Sequence, residues 1–249
     1  MAKTEKKQES TTPKFVVIDS PGKEPSKPQN PREAYYSREE LGKRGIIHPG
    51  MKDADVLNAF RNLRTSLLPR MGKMNSSIMV TAINKGGGAS FNAINLATAF
   101  TLDRQRTALL VDCNFHNPSL AERLNVEAEA GLIDYVSEQT DNIEDIVYPT
   151  IVPRLSLVPC GNVFEEDNIE YFAGERMRNF ITSATERYED RVVIIDAPPI
   201  LDTADTTILS ELCDYVLLVL PYQGASAAKV NKTIKALGQD KLLGMVMNN

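Results

Sequence analysis

Six short, predominantly apolar runs, over residues 78–83, 107–111, 154–158, 191–196, 215–220 and 242–247, alternate with stretches of helical spacing. Strands with one wet face alternate in polarity, whereas runs without that alternation are covered on both faces. The intervening helices are expected over 90–102, 118–124, 175–188, 207–212 and 225–237. Buried strands separated by helices leave one economical architecture: a doubly wound, mostly parallel α/β sheet in a single domain. A further helix is expected ahead of the first strand. There Val56, Phe60, Leu63, Leu67 and Leu68 recur at helical spacing behind Asp53 and Asp55, whose charges suit a helix N-terminus. In such sheets ligands bind at the carboxyl ends of the strands. No internal repeat is evident.

The first 50 residues have a different character. Six of the 14 prolines (Pro13, Pro21, Pro25, Pro28, Pro31 and Pro49) lie there among Lys, Glu, Ser and Gln. That composition buries too little apolar surface to offset the entropy of ordering, so residues 1 to 45 are expected to be disordered. The expected division is a flexible tail over 1–50 and a folded domain over 51–249. The tail has 10 Lys/Arg against 7 Asp/Glu, and the remainder 18 against 26, within a net charge of −5. An acidic body lacks the basic excess that non-specific nucleic-acid binding requires, so no nucleic-acid partner is expected.

The longest apolar runs, 192–195 and 215–220, are far below the roughly 20 residues of a membrane span. The opening residues lack the apolar stretch of a secretory signal. A cytoplasmic protein that meets the membrane only through a partner is the resulting expectation. Cys113, Cys160 and Cys213 are odd in number and widely spaced, which argues against a disulfide framework or a metal-ligand cluster.

Three features fall at predicted strand ends. Asn84-Lys85-Gly86-Gly87-Gly88-Ala89-Ser90 joins the first strand to a helix. Three glycines let a backbone turn its N–H groups inward, and the helix N-terminus adds partial positive charge, as a phosphate requires. Taken alone, the loop reads equally well as an ordinary glycine-rich turn. The runs 109–112 and 193–196 end in Asp112 and Asp196, the latter followed by Ala197-Pro198-Pro199. One carboxylate after a strand is ordinarily a turn or cap residue. Two beside a phosphate-type loop suggest Mg²⁺ and nucleotide, with Ser90, Asp196 and Asp112 as metal-side oxygens and the two aspartates as catalytic candidates.

With these motifs the chain, from about Val56 to Asn249, resembles the cytoplasmic module of bacterial tyrosine kinases (BY-kinases) of capsule and exopolysaccharide assembly, relatives of the MinD/ParA P-loop ATPases. The resemblance runs through Ala59-Phe60-Arg61-Asn62-Leu63-Arg64-Thr65, the glycine loop with Asn95-Leu96-Ala97, residues 109–112 with Pro118, residues 194–199 with Asp205, residues 214–220, and Gly244-Met245-Val246-Met247-Asn248. It implies a P-loop NTPase fold. It also implies nucleotide contacts from Lys85, Gly86, Gly87, Gly88, Ser90, Phe91 and, against the base, Asn248.

The chain departs from that family at several positions. Where the family's first motif reads Pro-Gly-Glu-Gly-Lys-Ser-Thr, this chain has Lys85-Gly86-Gly87-Gly88-Ala89-Ser90-Phe91, with alanine at the phosphate-gripping lysine. Losing one preorganised donor of this kind costs on the order of 10²- to 10³-fold in rate. Lys85 is a candidate substitute, one position from the extra lysine of MinD-like members, and otherwise a solvated turn residue. The bulk of Phe91, in place of a small hydroxyl residue, is expected to narrow the site. The second motif, usually Asp-x-Asp-x-Arg, reads Asp112-Cys113-Asn114-Phe115-His116, leaving one acid; His116 reads as a solvated or capping residue. The family's tyrosine-rich tail has no counterpart before Asn249, which replaces an arginine. Tyr35-Tyr36 is either a phosphorylation target or plain linker. The ring-forming Glu-x-x-Arg-x-x-Arg becomes Asn58, Arg61 and Arg64, so Arg61 and Arg64 remain as oligomer or partner contacts and any homo-oligomer is expected to be weak.

The resemblance therefore implies a BY-kinase-like module of capsule or exopolysaccharide biosynthesis, degenerate in catalysis and working as a nucleotide-binding or scaffold protein. Its cofactors would be ATP or ADP with Mg²⁺. Its partner would be a transmembrane polysaccharide co-polymerase (chain-length regulator) or an active kinase paralogue, at the inner face of the plasma membrane. One alternative is an active tyrosine autokinase or ATPase with phosphate contacts rearranged onto Lys85 and Asp112. A MinD/ParA-like positioning ATPase is the lesser alternative, because it needs a membrane helix or a basic DNA-binding face.

Overall fold

All six apolar runs form strands in the computed structural model, which describes residues 16–17, 35–73, 75–162, 169–222 and 226–248. Val16–Val17 (β1) and Tyr35–Tyr36 (β2) pair in parallel as a separate short ladder. The main sheet has seven strands: β3 (Ser77–Ala82), β4 (Thr107–Asp112), β5 (Tyr148–Pro149), β6 (Leu155–Val158), β7 (Arg191–Asp196), β8 (Tyr215–Pro221) and β9 (Leu242–Asn248). Their order is β5-β6-β4-β7-β3-β8-β9, parallel throughout except where β5 pairs antiparallel with β6. The doubly wound single-domain fold expected from the apolar runs is the one observed. All six residues of β3 are buried, which is why its sequence does not alternate.

The described helices are α1 (Arg38–Lys43), α2 (Ala54–Leu67), α3 (Ala89–Thr101), α4 (Leu120–Arg123), α5 (Leu132–Val136), α6 (Ile169–Ala173), α7 (Glu175–Glu186), α8 (Ala204–Leu212) and α9 (Ala227–Leu237). They cover the sheet on both faces. On one, Leu41, Leu67, Leu96, Phe100 and Leu120 from α1 to α4 pack on Ile78, Val80, Leu110 and Ile194. On the other, Leu132, Met177, Phe180, Leu209 and Leu237 pack on Met79, Leu109, Val193 and Leu218. The helix expected over 118–124 shortens to four residues, and α5, α6 and β5 have no counterpart in the sequence reading. Elements of two to five residues are too short to display a period. Asp53 caps α2 as expected, accepting from the N–H groups of Asp55 and Val56.

Packed structure begins earlier than the proline-rich composition implies. Ser37 caps α1 by accepting from the Glu40 N–H at 3.1 Å, and Leu41, Ile46 and Ile47 are at most 2% exposed. Residues 37–50 therefore belong to the folded unit, while most of the rest of the expected tail lies outside the described residues. Distant partners make this possible. The Ile47 N–H donates to Asn95 Oδ1 at 2.8 Å, and Asn95 Nδ2 donates to the Gly45 and Phe91 carbonyls at 3.0 and 3.1 Å. Arg44 Nη1 donates to the Glu122 carbonyl at 2.7 Å, and its Nη2 to Asn125 Oδ1 at 3.2 Å.

Because Asn95 is buried, removing its amide strands the Ile47 N–H and the Gly45 carbonyl. Asn95→Ala is expected to destabilise the chain by about 2–3 kcal/mol and to accelerate amide exchange at residues 46 and 47 before global unfolding. Urea denaturation combined with hydrogen exchange checks both. Unchanged exchange at those two residues would rule out the clasp.

Candidate functional site

Between β3 and α3 the chain reverses through a loop that only glycine accommodates. Gly86 and Gly88 have φ of 76° and 87°, in the left-handed region where other residues are strained. A Cβ on Gly87 would lie 2.7 Å from the Ala82 Cβ, so the loop could not lie as close to β3. The turn closes through the Gly87 N–H, which donates to the Asn84 carbonyl at 3.1 Å. Gly88 forms the N-cap of α3, and Ala89 and Ser90 begin the helix.

A pocket of about 570 Å³ opens here, walled by the loop 84–91, residues of the stretch 114–119, Arg123 and the turn 197–203 after β7. That volume is within the range of small-molecule and nucleotide sites. Ala89 and Ser90 stand on its wall, where the unpaired N–H groups of a helix N-terminus favour an anion. The wall turn is itself braced, since the Pro198 carbonyl accepts from Thr81 Oγ1 at 2.6 Å and Thr206 Oγ1 at 3.2 Å.

The two strand-end carboxylates have different surroundings. The β4–β7 register sets Asp112 opposite Asp196 on neighbouring strands, and each is 1% exposed. Asp112 Oδ1 accepts from the Asn114 N–H at 3.1 Å, and Oδ2 accepts from those of Ser119 at 3.2 Å and Leu120 at 3.1 Å. It thus holds the start of α4. Burial pushes its pKa up to about 6, although the three backbone N–H groups oppose the shift. Neither carboxylate oxygen of Asp196 closes a hydrogen bond of normal geometry. Burial, then the neighbouring Asp112, drives its pKa well above the usual carboxylate range; nearby Ser90 and the Arg123 charge only partly offset this.

Two orphaned, buried carboxylate oxygens beside a serine hydroxyl are an incomplete set of hard ligands. They fit Mg²⁺, which takes one or two protein oxygens and completes its shell with water and phosphate oxygens. Asp196 and Ser90 would hold it and the glycine loop would receive the phosphates. The chemistry supplied would be neutralisation of charge on a transferring phosphoryl group.

The other predicted residues distribute as follows. Lys85, Gly86, Gly87, Gly88, Ser90 and Phe91 all line the pocket, with Lys85 exposed at its mouth. The bulk of Phe91 is partly taken up outside the site, because its ring meets Phe60 of α2 edge-on at 5.9 Å. Asn248 rests against Gly88 and receives a hydrogen bond from Asn92 Nδ2 at 3.2 Å; it is not on the pocket wall. Arg64 Nη1 donates to the Ala99 carbonyl of α3 at 2.9 Å, which engages it within the chain and leaves Arg61 as the exposed arginine of the pair. Cys113, Cys160 and Cys213 are buried free thiols.

Arg123, Asn117, Asp202 and Thr203 line the pocket without having been singled out in the sequence, and Lys229 of α9 donates to Asn84 Oδ1 at 3.3 Å. No local spacing marks these residues. No described helix is long and apolar enough to cross a membrane.

A glycine turn between a central parallel strand and a helix, with a carboxylate ending the neighbouring strand, is the arrangement of an α/β domain of the P-loop type. Residues 76–241 match the AAA domain family, and the chain belongs to it. It is 29% identical over 198 residues to the "Putative tyrosine-protein kinase EpsB" of Ralstonia solanacearum, covering 78% of this chain and 26% of that protein. It is 29% identical over 206 residues to the "Tyrosine-protein kinase CpsD" of Streptococcus agalactiae serotype III (strain NEM316), covering 82% and 87%. Among solved structures, the "BceF Tyrosine Kinase Domain" superposes with a TM-score of 0.67 at 28% identity over 78% of this chain and 77% of that one. The chain spans about a quarter of the length of EpsB and most of CpsD. The resemblance to bacterial tyrosine kinases drawn from the motifs holds in both kinds of comparison.

Proposed function

We propose that this chain is a degenerate BY-kinase-like module of capsule or exopolysaccharide assembly, one that binds Mg²⁺ and nucleotide and works as a scaffold while transferring phosphoryl groups poorly. The carrying observation is Ala89. The first residue of α3, on the pocket wall where the family's lysine would sit, has no charge, while Ser90 stands beside it on the wall and Asp196 ends β7 just before the wall residue Ala197. Phosphoryl transfer depends almost wholly on positioning and charge neutralisation, so a site without that lysine binds better than it reacts.

The alternative, an active autokinase using Lys85 and Asp112, has less support. Asp112 is committed to three backbone N–H groups, and Lys85 is an exposed turn residue. The partner we propose is a transmembrane co-polymerase or an active kinase paralogue, with the chain at the inner face of the plasma membrane. The exposed Arg61 is one candidate contact for an acidic patch on it.

The test is thermal unfolding with and without Mg²⁺–ATP, alongside an autophosphorylation and ATPase assay. Ligand at about 100 times its dissociation constant stabilises a native state by about 2.7 kcal/mol, so a clear rise in melting temperature is expected with little turnover. Turnover comparable to a lysine-containing relative, and abolished by Asp196→Asn, would sink the degenerate reading. No thermal shift would sink the nucleotide-bound one.

A further inference from the structure

We propose that Arg123 is the cation that faces the phosphates of a nucleoside di- or triphosphate in this pocket, supplying from α4 the charge that position 89 lacks. The inference rests on the nucleotide-binding reading above.

Arg123 is on the pocket wall, across from a loop whose helix begins with Ala89. Its support is fixed at both ends, although α4 has only four residues. At the start, Asp112 accepts from the N–H groups of Ser119 and Leu120. At the end, Arg44 Nη1 donates to the carbonyls of Glu122 at 2.7 Å and of Arg123 itself at 3.4 Å. Leu120 and Leu124 are fully buried beneath. A side chain carried on so constrained a turn loses less entropy on meeting a ligand than one on a free loop.

The guanidinium is also available. Arg123 is exposed and, among the described residues, forms no ion pair. It shares the pocket wall with Ser90 and Ala197, the neighbours of Ala89 and Asp196 in the chain, and its charge acts to lower the raised pKa of Asp196. A guanidinium with no ion pair among the described residues, in the pocket whose wall carries Ser90 and the glycine loop, matches the negative charge of phosphates bound there. Its planar fork suits two phosphate oxygens at once, which a lysine ammonium cannot match. The pocket's other permanent cation, Lys85, sits on the exposed turn with no comparable support.

The experiment is calorimetric titration of the full chain with Mg²⁺–ATP, Mg²⁺–ADP and adenosine, for wild type, Arg123→Gln and Arg123→Lys. Nucleotide-free melting temperatures are recorded beside each titration. A charge-assisted hydrogen bond contributes enough that Arg123→Gln should weaken ATP binding by about tenfold or more, with Arg123→Lys recovering part of the loss. Wild-type affinity should also fall more steeply with added salt than that of Arg123→Gln.

Equal ATP binding by wild type and Arg123→Gln would overturn the assignment and leave the nucleotide reading standing. A weaker affinity matched by an equal fall in nucleotide-free stability, or an equal loss for adenosine, would also overturn it, because the residue would then be shaping the pocket. A wild type that binds neither ATP nor ADP would remove the nucleotide reading and this inference together.

Discussion

Ala89→Lys is expected to raise Mg²⁺–ATP turnover on the order of 10²-fold, and up to 10³-fold if the new ammonium reaches the β/γ oxygens, the scale of restoring one preorganised donor. Position 89 opens α3 on the pocket wall and is only half-buried, so a long side chain has room to extend over the glycine turn. The proposed metal ligand, Asp196, needs no change. Asn114→Asp on top of Ala89→Lys would restore the second acid of the family's second motif and is expected to add to the gain. The check is steady-state ATPase and autophosphorylation rates at saturating Mg²⁺. A wild type already as fast as Ala89→Lys would show that the missing lysine is no handicap, and the degenerate reading would fall with it.

Asp196→Asn is expected to produce the second large effect, with opposite signs for stability and for binding. Both Asp196 oxygens are buried without a hydrogen bond of normal geometry, so folding near neutral pH must either strip water from its charge or bind a proton that the unfolded carboxylate lacks. The amide carries no such charge. Nucleotide-free Asp196→Asn should therefore melt several degrees above wild type at about pH 7, at roughly 2–4 °C per kcal/mol for a chain of this size. It should also lose the stabilisation by Mg²⁺–ATP.

The pH dependence follows from the sign of the shift. A carboxylate whose pKa is raised on folding binds its proton more tightly in the native state. Its neutral form thus supports folding at low pH, and that support is lost as pH rises through the folded pKa. For the neighbouring Asp112 the window runs from 3.8 to about 6 and amounts to about 3 kcal/mol. Asp196 is raised as well, and its own protonation on acidification removes the difference from asparagine. The advantage of Asp196→Asn should therefore shrink as pH falls. An advantage absent at neutral pH, or growing on acidification, would contradict this account. Asp112 offers no equally clean variant, because Asp112→Asn also disturbs three backbone hydrogen bonds that hold α4.

A buried carboxylate without a hydrogen bond of normal geometry is the kind of stability cost that binding sites carry, and it is what the proposed Mg²⁺–nucleotide site would offset. The surrounding architecture is consistent with that. The Arg44–α4 clasp and the Asn95–Gly45 clasp secure two walls of the pocket from a segment whose composition suggests a loose tail.

Much of this protein is legible locally. Val193-Ile194-Ile195-Asp196 reads as a covered strand with a polar end because all its neighbours are apolar, and β7 forms over those residues. The loop 84–90 reads as a tight glycine turn because positive φ and close packing are properties of glycine itself, and Gly86, Gly87 and Gly88 display them between them. Asp112 and Asp196 look alike in the sequence, each ending an apolar run. Only the landing of the Ser119 and Leu120 N–H groups on Asp112 makes one a structural cap and leaves the other without a hydrogen bond of normal geometry.

Local pattern thus determined the strands, the parallel sheet and the tight glycine turn, since apolar continuity and glycine conformations act over a few residues. Tertiary structure decided which carboxylate is free, that Asn248 backs the loop and that Arg64 is engaged within the chain. It also brought Ile46 and Ile47 into the core and Arg123 to the pocket. Those outcomes depend on groups far apart in the chain, brought together by strand register and helix placement, which no spacing within the sequence encodes.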